Sequence, residues 1–159
     1  MDLDFIVKIT SVISSVTTPV LLVLAILQLY KMKKDRDSDL AIKVFDWFRD
    51  QTFVSYHDGL GNTDTDKIDK IDYYSEDGRK LRKIAIVFEE VGTLIKMKAV
   101  QEELILSMIS SITVSTWNKM EKFIMQQRYL QNDSKLWEHF EFLKNEAIEF
   151  EKTHSDVSL

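Results

Sequence analysis

Three histidines and two pairs of adjacent glutamates are the side chains of this sequence that could bind a metal or transfer protons. The histidines are His57, His139 and His154, and none lies four residues from another, so the helical spacing of a zinc site is missing. The pairs Glu89–Glu90 and Glu102–Glu103 are consecutive, and on a helix consecutive side chains point roughly 100° apart. Neither pair can form an acid–base dyad by itself, and both are predicted to be solvated.

An aspartate-rich segment, NTDTDKIDKIDYY, is the next candidate for a metal site. Placing Asn62, Asp64 and Asp66 at the first ligand positions of a calcium loop puts Lys67 where the turn glycine belongs. The same alignment puts Tyr73 where a bidentate glutamate belongs. The segment is therefore predicted to be a solvated acidic loop, and the sequence predicts no metal ion and no cofactor.

Arg128 and His139 are the weak candidates for catalysis. All-helical ribonucleases of bacterial defence resemble one another in an arginine followed a few residues later by a histidine. Here ten residues separate Arg128 from His139, and seven separate Arg49 from His57. Because both spacings are too long, the chain is predicted not to be an enzyme, and a degenerate ribonuclease stays a third hypothesis.

The composition indicates an all-α protein. Among 159 residues there are one proline, four glycines and no cysteine, so there are few helix breakers and no thiolate chemistry. The net charge of −5 argues against direct binding of nucleic acid, which needs clustered lysine and arginine. The length suits one domain with an appendage.

An uncharged run from Ile9 to Tyr30 predicts a transmembrane helix. Its 22 residues would span roughly 33 Å, close to the hydrocarbon thickness of a bilayer. The basic residues at the membrane interface all follow the run: Lys31, Lys33, Lys34 and Arg36. This order predicts a single-pass protein of the bacterial inner membrane, with the N-terminus outside and a cytoplasmic C-terminal domain. A buried core helix is the alternative.

Hydroxyl side chains occupy the first half of that run. Ser11, Ser15 and Thr18 fall on one helical face, which predicts packing between protomers or the lining of a pore. The alternative is that these hydroxyls bond to carbonyls of their own helix. Lys8 could ring the outer mouth of a pore or extend to the interface, and Pro19 predicts a kink.

The rest of the chain predicts a bundle of about five helices. Residues 1–34 form the predicted span with its basic stop, 35–154 the cytosolic bundle with an acidic loop at 57–78, and 155–159 a frayed tail. Helices are expected from about Leu40, over 79–98, from Glu102 to about Ser111, from about Val114 to Tyr129, and through Trp137 to Phe150. Trp47 lies off the apolar stripe of its helix. The predicted bundle core includes Phe45, Phe48, Phe88, Gly92, Trp117, Trp137 and Phe140.

Four segments carry a resemblance to a known family: LAIKVFDWFRD, VFEEVGTLIKMKAVQEELI, STWNKMEKFIMQQR and KLWEHFEFLKNEA. Together with the predicted span, they resemble bacterial single-pass membrane proteins that carry a helical domain of unknown function. In that resemblance Gly92 marks a close crossing of two helices, and Trp117 and Trp137 are aromatic anchors. The architecture is also similar to the small membrane accessory proteins of type VI-B CRISPR systems, which assemble into membrane pores and strengthen antiviral defence.

The resemblance and the hydroxyl face lead to three hypotheses about function. The first is a ring-shaped homo-oligomer that permeabilises the lipid bilayer in antiviral defence, with a CRISPR effector or another defence protein as a partner. The second is a membrane-anchored helical module that docks a cytosolic partner. The third is the degenerate ribonuclease.

Overall fold

The computed structural model describes residues 24–29, 31–32, 38–68 and 70–155 of the chain. Contacts divide the chain into two compact units, Met1–Ser38 and Asp39–Leu159. Several residues named above lie outside the described residues: Lys8, Ser11, Ser15, Thr18, Pro19, Lys33, Lys34 and Arg36. The predictions about the hydroxyl face and the proline kink therefore lie outside the described residues.

Within the described residues of the first unit, 24–29 and 31–32 are helical. Among all described residues, no helix is both long enough and apolar enough to cross a bilayer. This finding contradicts the predicted transmembrane helix, the inner-membrane location and the membrane pore. Of the predicted span, the described residues include only 24–29, and six helical residues rise about 9 Å, far less than the thickness of a bilayer.

The second unit is built from helices, and its described residues contain no strand. We label the helical residues 38–49 α1. The helices that follow are α2 (Gln51–Gly61), α3 (Thr65–Ile68), α4 (Glu76–Lys96), α5 (Glu102–Gln131) and α6 (Glu138–Ser155). The all-α prediction is confirmed. The segment 57–78 holds more helix than the sequence predicts, because α2 runs to Gly61 and α3 lies within it.

Side-chain caps explain where two of these helices begin. The carboxylate of Asp50 accepts hydrogen bonds from the backbone amides of Thr52 (2.9 Å) and Phe53 (3.1 Å), so a new helix starts directly after α1 ends. The hydroxyl of Ser75 accepts from the amide of Gly78 at 3.0 Å and starts α4 in the same way. Both caps satisfy amides that have no partner within their own helix.

α5 is one continuous helix of 30 residues, so the predicted break between Ser111 and Val114 is wrong. No glycine or proline interrupts this stretch, and the hydroxyls of Ser107, Thr113 and Ser115 donate to carbonyls of the same helix. Thr113 Oγ1, for example, donates to the carbonyl of Ile109 at 2.7 Å. The serines and threonines are therefore accommodated without ending the helix, which stops only at Asn132 in a left-handed conformation (φ 50°).

The core lies where α6 packs against α4 and α5. The rings of Phe88 and Phe140 stack with their centroids 4.6 Å apart, and Trp117 meets Phe140 edge to face at 5.1 Å. These three side chains are buried, as is Trp137, while Phe45 and Phe48 are half-buried against the core. Such aromatic pairs add to the free energy gained by burying apolar area.

Candidate functional site

The start of α6 lies against charged side chains from two other helices. Trp137, directly before the helix, has a left-handed backbone (φ 57°), and its carbonyl accepts the first helical hydrogen bond from the amide of Glu141. Trp137 therefore occupies the N-cap position. Its buried indole has no acceptor atom, so it cannot bind the first-turn amides that lack a partner within the helix. Another residue must supply the cap.

Glu89, on α4, supplies this cap. Its Oε2 accepts a hydrogen bond from the backbone amide of Phe140 at 2.8 Å, and its Oε1 lies 2.9 Å from Nδ1 of His139. The side chains of Glu89 and His139 are each only 25% exposed. The prediction that Glu89 is solvated is thus wrong: one carboxylate binds both the backbone and a side chain of α6.

The two helices approach closely at Gly92, one turn after Glu89 on α4. A Cβ atom built on Gly92 would overlap the backbone carbonyl of His139. Only glycine allows the backbones of α4 and α6 to come this near, and the nearness brings Glu89 within hydrogen-bonding distance of Phe140.

Arg128, on α5, binds the turn before α6 from the other side. Its Nε donates to the carbonyl of Leu136 at 2.9 Å, and Nη2 lies 3.5 Å from the carbonyl of Trp137. Its Nη1 forms an ion pair with Glu141 at 2.7 Å. The side chain of Arg128 is only 13% exposed. All three guanidinium nitrogens contact this turn or the first turn of α6.

We call Glu89, Arg128, His139 and Glu141 the α6-start cluster. The structure brings the two predicted catalytic candidates, Arg128 and His139, to the same helix start, but each is bound by a different carboxylate. Binding a phosphate at Arg128 would require Glu141 to be displaced. The geometry therefore favours a structural role, which is to hold the left-handed turn and the first residues of α6 in place.

His57 lies in a separate, half-buried position on α2. Its Nε2 is 2.8 Å from the hydroxyl of Thr116, and its ring stacks on Phe53. Burial lowers the pKa of His57, which keeps the imidazole neutral near pH 7. Within the part of the chain that the structure describes, no three histidine or carboxylate side chains come together as a metal site.

A groove of about 370 Å³ lies on the surface where the end of α1, α2 and α4 meet. We call it the Trp47 groove. Its apolar lining consists of Trp47, Phe53, Tyr56, Ile84, Ile86 and Val87. Ile86 is 48% exposed, whereas Trp47 and Val87 are half-buried, so part of this apolar lining faces solvent.

Charged residues border this apolar surface. Asp50 and Glu90 contribute two carboxylates, and Lys83 contributes one ammonium group whose Nζ lies 5.5 Å from the ring centroid of Tyr56. An apolar floor with a charged border is the general form of a protein-docking surface. Trp47 lies off the apolar stripe of its own helix, and no local pattern in the sequence joins it to Ile86 and Val87 on α4.

In the middle of α6, Glu146 faces Glu102 at the start of α5. Burial raises the pKa of the Glu146 carboxyl, and the neighbouring carboxylates of Glu102 and Glu149 raise it further. A raised pKa means that the folded chain keeps a proton that the unfolded chain has lost, so stability falls as pH rises from the ordinary glutamate pKa through the raised value.

We therefore expect Glu146→Gln to raise the melting temperature at pH 7.5 by about 1–3 °C and to leave it unchanged at pH 4. Thermal unfolding followed by circular dichroism at both pH values measures this difference. Glu90→Gln, an exposed glutamate on α4, is the matched control and should give no such dependence on pH. An equal gain at both pH values would show that ionisation of the Glu146 carboxyl does not cause the gain.

The fold and these surfaces define a helical domain with a buried aromatic core and an apolar surface groove at Trp47. The family described as a domain of unknown function, DUF4760, matches residues 17–146, and the chain belongs to this family. Neither a curated protein nor a solved structure matches the chain significantly.

Proposed function

We propose that this chain is a helical interaction module that binds an amphipathic helix of a protein partner in the Trp47 groove. The observation that carries the proposal is the contiguous apolar surface formed by Trp47, Ile86 and Val87 between charged borders. The predicted antiviral role and the predicted CRISPR or other defence partner stay predictions.

The dimensions of the groove suit a helix. Along α4 its residues Lys83, Val87 and Glu90 follow the spacing i, i+4, i+7, so the groove runs for about two helical turns, or roughly 10 Å. A partner helix would insert apolar anchors with the same spacing, which is the usual geometry of helix-in-groove recognition.

The border charges indicate the flanks of the partner. Two carboxylates, Asp50 and Glu90, stand against the single ammonium of Lys83, so the net charge of the border is negative. Basic residues beside the apolar anchors would speed association and fix the orientation of the bound helix. The partner is accordingly a helix with an apolar face and basic flanks.

A designed peptide tests the proposal. We expect a basic amphipathic helix of about 14 residues, with leucines at i, i+3 and i+7, to bind and to shift the NMR signal of the Trp47 indole. Trp47→Phe identifies that signal among the three tryptophans. A peptide of the same composition without the apolar face is the peptide control.

Two variants locate the binding site. Ile86→Glu places a charge in the groove and should weaken binding at least about tenfold, which corresponds to about 1.4 kcal/mol. Met108→Glu is the matched control, because Met108 is similarly exposed but lies on α5, outside the groove. Equal binding by both variants, with folding confirmed by circular dichroism, would show that the peptide binds elsewhere and would refute the proposal.

A further inference from the structure

We infer that the helix bound in the Trp47 groove is the apolar segment 24–29 of a second copy of this chain. The inference rests on the proposed function and adds the identity of the partner. It joins two apolar surfaces of one sequence that are both exposed.

The first of these surfaces is the helical segment itself. Leu24, Ile26, Leu27 and Leu29 lie within the helical residues 24–29, and their exposed fractions range from 49% to 66%. Leu24 and Leu27 are spaced i, i+3, as are Ile26 and Leu29, and at about 100° per residue the two pairs lie on opposite faces of the helix, so Leu24 and Leu27 form the face that would enter the groove. Exposed apolar side chains at this density are typical of a surface that another protein covers.

The charges beside the two surfaces indicate that the segment binds in the Trp47 groove. The apolar residues are followed by the exposed Lys31 and, in the sequence, by Lys33, Lys34 and Arg36. The groove offers Asp50 and Glu90 at its border. A helix that inserts Leu24 and Leu27 while its basic flank meets these carboxylates satisfies both the apolar and the electrostatic requirement.

The association would be head-to-tail, because the inserted segment and the groove are different surfaces. Each copy of the chain carries one of each, so every copy can bind two neighbours. Such a heterologous interface produces closed rings where the rotation closes and open chains where it does not. A partner that carried only a groove or only a segment would end the assembly.

Complementation between two variants tests this arrangement in the full chain. Leu27→Glu removes the inserted segment and keeps the groove, whereas Ile86→Glu removes the groove and keeps the segment. We expect the wild-type chain to show a mass that rises with concentration above the monomer mass of 18.6 kDa, by analytical ultracentrifugation. Each variant alone should be monomeric, and an equimolar mixture should form a dimer and nothing larger.

A charge exchange provides a second test that leaves the apolar surfaces intact. Lys31→Glu should weaken self-association at least about tenfold, and adding Glu90→Lys to the same chain should restore it. Met108→Glu is the control and should associate like the wild type. A monomeric wild-type chain, or a variant mixture that stays monomeric, would overturn the inference.

The designed peptide separates failure of this inference from failure of the proposed function. Peptide binding to the Leu27→Glu variant, together with a monomeric wild-type chain, would leave the groove as a helix-binding site and refute only the second copy as its occupant. Absence of both peptide binding and self-association would refute both.

Discussion

Replacing Gly92 with alanine is expected to lower the free energy of unfolding by about 3 kcal/mol. The added Cβ would overlap the backbone carbonyl of His139, and a backbone cannot move aside as a flexible side chain can. α4 and α6 would have to separate, which loosens the stacking of Phe88 on Phe140 and the hydrogen bond from Phe140 to Glu89. Urea unfolding followed by circular dichroism measures the loss.

Gly59→Ala is the matched control. Gly59 lies within α2, and nothing stands within 4 Å of a Cβ built there. Alanine is the better helix former by about 1 kcal/mol, so this variant should be as stable as the wild type or more stable. If both glycine variants proved equally stable, the close crossing of α4 and α6 would be refuted.

Replacing Glu89 with alanine is expected to cost about 3 kcal/mol of stability. The change leaves the amide of Phe140 without its acceptor and removes the partner of His139, both in partly buried positions. Glu89→Gln should cost less, because its side-chain oxygen can still accept from the amide of Phe140 although the charge is gone. The same urea titration ranks the two variants.

The adjacent Glu90 offers the control for this prediction. It is exposed and belongs to the border of the Trp47 groove, so Glu90→Ala should change stability by no more than about 0.5 kcal/mol. If Glu90→Ala lost as much stability as Glu89→Ala, the total negative charge of α4, and not the cap of α6, would determine the stability.

The aromatic positions of the core could be predicted from the sequence because they follow helical periodicity. Phe88, Trp117 and Phe140 recur on the apolar stripes of their helices, and all three are buried. The stripe depends only on the geometry of a helix, which is the same in every protein. The all-α fold follows from the same signal.

The role of Glu89 could not be predicted in this way. Glu89 and its neighbour Glu90 are the same residue type and have the same helix propensity. Only the left-handed turn at Trp137 places the amide of Phe140 where Glu89 can bind it. That turn is itself held by Arg128, so the cluster depends on three helices meeting. Local sequence contains no signal for such contacts.

The Trp47 groove escaped prediction for a related reason. Trp47 and Ile86 each lie off the main stripe of their own helix, and a single off-stripe apolar residue is ordinary. They form one surface only because α1 ends at Asp50 and α2 turns back along α4. The side-chain cap at Asp50 is a local signal that would have located this turn.

The cap of α6 also determines when the fold can be completed during synthesis. Glu89 precedes Phe140 by 51 residues and Arg128 precedes Glu141 by 13, so both capping groups leave the ribosome before the helix that they stabilise. Until α6 follows, the sides of Phe88 and Trp117 that contact Phe140 have no cover. The nascent chain therefore exposes these aromatic surfaces until α6 has been synthesised, and it depends on this helix to close the core.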